Sequence, residues 1–110
     1  MAAGEPLEET AADMPPEVLV EEKITLPSLP PWVRSTIKGY VIMRVLVNEK
    51  GGVDDVQVLR KFQTADLGVD EACVAAVRKY RFRPATKNGV PVRTWTMVTK
   101  ALALVPRIAG

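Results

Sequence analysis

From Gly39 to Asn48 the chain reads Gly-Tyr-Val-Ile-Met-Arg-Val-Leu-Val-Asn, a run of β-branched and apolar residues that predicts a strand. Side chains alternate along an extended backbone, so Val41, Met43, Val45 and Val47 share one face and Tyr40, Ile42, Arg44 and Leu46 the other. Both faces are largely apolar, which places the strand at the centre of a sheet rather than at its edge. Glu49-Lys50-Gly51-Gly52 supplies a turn with two glycines free to take positive φ. Val53 to Arg60 follows as a second strand, with Val56 and Val58 on one face and Gln57 and Leu59 on the other. The two strands make a hairpin.

The period then changes. Over residues 69 to 80, Val69, Cys73, Ala76, Val77 and Tyr80 recur at the spacing of one buried helical stripe. Asp70 and Glu71 open this helix and Arg78 and Lys79 close it, each complementing the helix dipole. Pro84 prevents continuation, Asn88-Gly89 marks a tight turn, and Val92 to Val105 predicts a long strand rich in valine and threonine. Residues 32 to 38, after Pro31, are expected to form one or two helical turns. The order strand, strand, helix, strand predicts an α+β fold: an antiparallel three-stranded sheet in spatial order 2-1-3, with the helix on one face. The other face is left open or is covered by a partner.

Charge and proline divide the 110 residues at about residue 31. Residues 1 to 31 carry seven acids against one lysine and hold six of the nine prolines, whereas residues 32 to 110 carry fourteen bases against six acids and all six aromatics. A proline- and glutamate-rich segment without aromatics buries too little apolar surface to offset its ordering entropy. Residues 1–31 therefore read as an acidic, proline-rich linker, largely disordered, and residues 32–110 as the domain. A plain solvated linker is preferred to one that folds back on the basic domain. No stretch reaches the roughly 18 to 20 apolar residues of a membrane helix, and a secretory leader's basic start and apolar run are absent. The chain as it stands reads as soluble.

Composition also restricts the chemistry. With no histidine, every Ser/His and Cys/His nucleophile system is excluded, along with the commonest metal ligand. Cys73, the single cysteine, permits no internal disulfide or cysteine-based zinc site, and reads as a buried thiol in the helix stripe. Asp54-Asp55 and Asp70-Glu71 are adjacent carboxylates, but neighbours on a strand face opposite ways and do not converge on one point. No catalytic residue, metal site or cofactor is expected.

The combined pattern is similar to a known family. Gly39 to Val53, with its glycine-led apolar strand and acidic-glycine turn, Asp55-Val-Gln-Val-Leu59, the helix running into Tyr80-Arg-Phe-Arg-Pro-Ala85, and Asn88-Gly-Val-Pro-Val92 together resemble the C-terminal domain of the TonB family. The resemblance covers roughly residues 30 to 105; Pro31-Trp32 stands where the family usually has a Tyr-Pro pair. It implies a periplasmic domain at the end of an inner-membrane-anchored protein, whose absent N-terminal part meets proton-channel partners in that membrane. It further implies capture of a short peptide of an outer-membrane transporter, the TonB box, as a strand added beside the last strand, and transmission of energy derived from the proton-motive force.

The residues of the last strand suit that role. From Val92 to Val105 there is no proline, no acid and only Arg93 and Lys100 as charges, whereas natural edge strands of that length are usually blunted. The candidate peptide-binding edge is Val92, Thr94, Trp95, Thr96, Met97 and Val98, with Trp32, Arg81 and Arg83 as rim contacts. A second copy of the chain is another candidate occupant, giving a homodimer. Two rival readings stand beside it: a cell-envelope scaffold domain that serves no transporter, and a single-stranded nucleic-acid binder suggested by Arg78-Lys-Tyr-Arg-Phe-Arg83. The aromatic glycine-rich strand of RNA-binding sheets is absent, so nucleic acid is not expected as a partner.

Overall fold

The computed structural model describes residues 6–26, 28–62 and 67–106. The elements in chain order are β1 (Leu7–Glu8), a 3-10 turn (Glu9–Ala11), β2 (Glu17–Val20), β3 (Ile37–Val47), β4 (Val53–Arg60), α1 (Val69–Val77), β5 (Arg81–Arg83), β6 (Ala85–Lys87), β7 (Val90–Val92) and β8 (Thr94–Leu104). This is the α+β class that the hydrophobic pattern predicts. The main sheet, however, has four strands rather than three, in the order β1-β8-β3-β4. β3 pairs antiparallel with β4 on one side and β8 on the other, and β1 runs parallel to β8. Two small antiparallel pairs, β2-β5 and β6-β7, lie outside it.

The β3-β4 hairpin forms where the glycines allow it. The Asn48 side-chain oxygen accepts from the N–H groups of Lys50 (2.9 Å) and Gly52 (3.0 Å), while its amide nitrogen donates to Asp54 (2.9 Å). Gly51 sits at φ +86°. The valine face of β3 is the core: Val41, Met43, Val45 and Val47 are fully buried against Val69, Cys73 and Val77 of α1, with Phe62, Tyr80, Phe82 and Leu104 closing the cluster. Asp70 accepts the N–H of Phe62 at 2.8 Å, fixing the approach to the helix.

Four expectations are corrected. The helix ends at Val77, not Tyr80, because Lys79 and Tyr80 donate three residues back, to Ala76 and Val77, in a tightened final turn. The helical turns expected over residues 32 to 38 do not form; a single bond from the Val33 N–H to the Pro30 carbonyl closes a turn, and Ile37 is already paired with Leu104. The last strand begins at Thr94, not Val92, since Asn88 and Gly89, both at positive φ, fold Val90–Val92 back onto β6.

The fourth correction concerns the acidic segment. Its residues 1–5 lie outside the described residues, but residues 6–21, read as a solvated linker, make long-range contacts with the domain. Leu7 and Glu8 join the main sheet, Met14 bridges Thr86, β2 pairs with β5, and Glu21 reaches Lys100. The physical reason is that this segment borrows structure from the domain. It adds backbone to existing strands and sets its carboxylates on basic side chains, so it needs little apolar burial of its own.

Candidate functional site

β8 places the expected edge residues, apart from Val92, on one strand. Val92 ends β7 in the separate hairpin. Thr94, Thr96 and Val98 face the helix side, opposite Val47, Val45 and Met43, and Thr94 and Thr96 are buried. Trp95 and Met97 face the other, open side; Met97 is 58% exposed. Arg81 and Arg83 stand on β5 beside β2, where Arg83 pairs with Glu17 at 3.3 Å, and so border the acidic segment. Trp32, 67% exposed, stands in the turn before β3.

Nor is β8 bare. The Leu7 N–H donates to the Arg93 carbonyl at 2.9 Å, and Leu7 and Glu8 lie opposite Thr94 and Trp95. That bond also sets the polarity of the edge. Because N–H and C=O groups of alternate residues point the same way along a strand, the outward backbone belongs to Arg93, Trp95, Met97, Thr99 and Ala101. The amides of Thr94, Thr96 and Val98 turn toward β3. Beyond Trp95, no strand among the described residues pairs with this side of β8.

Arg44 is the group that sequence reasoning passed over. It projects from the open face of β3, its guanidinium 4.3 Å from the centre of the Trp95 ring, and it forms an ion pair with Glu8. The neighbouring carboxylate, Glu9, accepts from the Thr96 hydroxyl at 2.9 Å. Together with Leu59 and Met97 these residues line a groove of about 250 Å³ along the start of β8. A lone arginine in an otherwise apolar strand was the available signal; its partners, far away in the chain, were not. Exposed ion pairs contribute about 0 to 1 kcal/mol and a net hydrogen bond about 0.5 to 1.5 kcal/mol. The cover over Thr94 and Trp95 is therefore weak compared with the core beneath it.

Asp54, Asp55 and Asp70 of the paired carboxylates have structural partners. Asp54 takes Asn48 and sits 3.5 Å from the Arg93 side chain, Asp55 accepts the N–H of Val56, and Asp70 that of Phe62. Cys73 is wholly buried, and burial pushes its thiol above the ordinary value.

The sequence profile of the Gram-negative bacterial TonB protein C-terminal domain matches residues 33–100. The chain belongs to that family. TonB C-terminal domains are interaction and transduction modules of the Gram-negative periplasm, with a general role in energy transduction to outer-membrane transporters. No curated protein matches the chain. The matched span takes in β3, β4, α1 and most of β8, whereas β1 and β2, which lie on this TonB C-terminal domain from the acidic segment, precede it.

Proposed function

We propose that residues 32–110 capture a short peptide of an outer-membrane transporter as a strand added along β8, and that the pull transmitted through this contact drives transport. The observation that carries this reading is the run of outward backbone groups at Trp95, Met97, Thr99 and Ala101, on a strand free of proline and acid. Main-chain pairing there supplies affinity with little demand on the partner's sequence, and the groove formed by Trp95, Met97 and Arg44 selects among side chains. Residues 1–31 are the acidic, proline-rich segment before the domain. In this reading the parent protein is anchored in the inner membrane and draws on proton-channel partners there, and the same edge accepts a second copy of the chain.

The polarity of β8 selects the test. Met97→Pro removes an outward donor, a position where a strand tolerates proline, whereas Thr96→Pro removes a donor turned toward β3. Met97→Pro is expected to keep the fold, seen in the dispersion of amide NMR signals, and to lose binding of N-terminal transporter peptides; Met97→Leu is expected to bind as the unaltered chain does. Unchanged affinity in a folded Met97→Pro chain would rule out strand addition at this edge.

A further inference from the structure

We propose that Leu7–Glu9 is a displaceable internal occupant of the β8 edge, standing in for the partner peptide, and that Arg44 reads the carboxylate of whichever strand lies there. The inference rests on the strand-addition reading above. Three successive residues are each engaged by the edge. The Leu7 N–H bonds to the Arg93 carbonyl at 2.9 Å, the Glu8 carboxylate meets Arg44 where that guanidinium stacks on Trp95, and the Glu9 carboxylate takes the Thr96 hydroxyl at 2.9 Å. Glu8, the last residue of β1, lies opposite Trp95, and Glu9, the first residue of the 3-10 turn that follows, reaches back to Thr96. The edge is thus built to accept a parallel strand with an acidic residue beside Trp95.

The occupant is held close and held weakly. Downstream, the pairing of β2 with β5 and the contact of Glu21 with Lys100 keep the segment on the domain, which raises the local concentration of Leu7–Glu9 at the edge. Its own pairing covers only Thr94 and Trp95. A longer acidic peptide, running parallel and continuing past Thr96, gains the outward positions at Met97 and Thr99 that β1 leaves open. Such a peptide would therefore displace it, while a short or wrongly charged one would not.

The test uses the full chain and, as probe, a free peptide carrying the sequence of residues 5–14. In Leu7→Pro the donor to Arg93 is lost; in Glu8→Lys the pairing with Arg44 is reversed. Both variants are expected to bind the probe at least about tenfold more tightly than the unaltered chain, because the tethered competitor no longer holds the edge. Faster hydrogen exchange at the Trp95 amide is expected to accompany the release. Adding Arg44→Glu to either variant is expected to abolish the gain. Equal probe affinity in the unaltered chain and both release variants would overturn the proposal, as would a gain that survives Arg44→Glu. Transporter peptides separate the two readings. If they bind the unaltered and released chains equally, internal occupancy fails and capture stands. If the released chains bind the probe but no transporter peptide, internal occupancy stands and capture fails.

Discussion

Gly51 and Phe82 meet through their backbones: the Phe82 N–H donates to the Gly51 carbonyl at 2.8 Å, and a Cβ on Gly51 would lie 2.0 Å from the Phe82 carbonyl oxygen. The turn between β3 and β4 is thereby clamped to β5, so the hairpin and the segment after α1 hold each other in place. Gly51→Ala combines a positive φ with a clash against backbone that cannot move aside, and is expected to cost at least about 2 to 4 kcal/mol by chemical denaturation. Gly89→Ala shares the positive φ but meets nothing within 4 Å, and should cost about 1 kcal/mol. Similar losses in the two variants would show that the clamp contributes little.

Gly39 makes room for an aromatic ring. A Cβ there would lie 2.8 Å from the Phe62 ring, which must shift if Gly39 becomes alanine. Gly39→Ala is expected to destabilise by about 1 to 3 kcal/mol, and the loss should shrink in the background of Phe62→Leu. Additive losses in that double-mutant cycle would contradict the contact.

Cys73 should behave as a packing residue. Cys73→Ala is expected to cost roughly 1 to 2 kcal/mol and leave peptide capture intact. The native thiol should react with a disulfide reagent only as fast as the domain opens. Because burial raises its folded pKa, the unfolded chain ionises first, so this group lowers stability as pH rises above the ordinary thiol value. Rapid labelling under native conditions would place the sulfur nearer solvent than the structure does.

The contact between Glu21 and Lys100 predicts a pH window for docking of the acidic segment. Lys100 donates to Glu21 at 2.8 Å, which holds the Glu21 carboxyl below its ordinary value and raises the Lys100 ammonium above its own. The lowered acid contributes above the ordinary carboxylate pKa and is lost as pH falls through its folded value. The raised base contributes below the ordinary lysine pKa and is lost as pH rises through its folded value. NMR shifts of the β2 amides should therefore stay constant through neutral pH and move at both extremes. Glu21→Gln should remove the acid limb; if that limb persists, other carboxylates hold β2.

The elements were legible from residues close together in the chain. β-branched density and the Asn48 to Gly52 turn determine the hairpin, and the spacing of Val69, Cys73 and Val77 determines the helix, because strand and helix periods act within a few residues. The long final strand was legible on the same ground, by its run of valine and threonine without proline. Where local signals competed, the structure chose: Asn88-Gly89 took Val92 into a hairpin, and the ladder with β8 drew Ile37 out of any helical turn.

What lies on the edge of β8 was decided only by the tertiary structure. Glu8 is 36 residues from Arg44, and Glu9 is 87 residues from Thr96, separations that no period or local motif records. Composition marked residues 1 to 31 as unable to build a core, and among the described residues of this segment only Ile24, Leu26 and Leu29 pack, half-buried, against the domain's core. Yet a segment that adds backbone to an existing sheet, and places its carboxylates on arginine, lysine and threonine side chains supplied by the domain, needs no core of its own. Its order comes from an edge that must first be folded to be read.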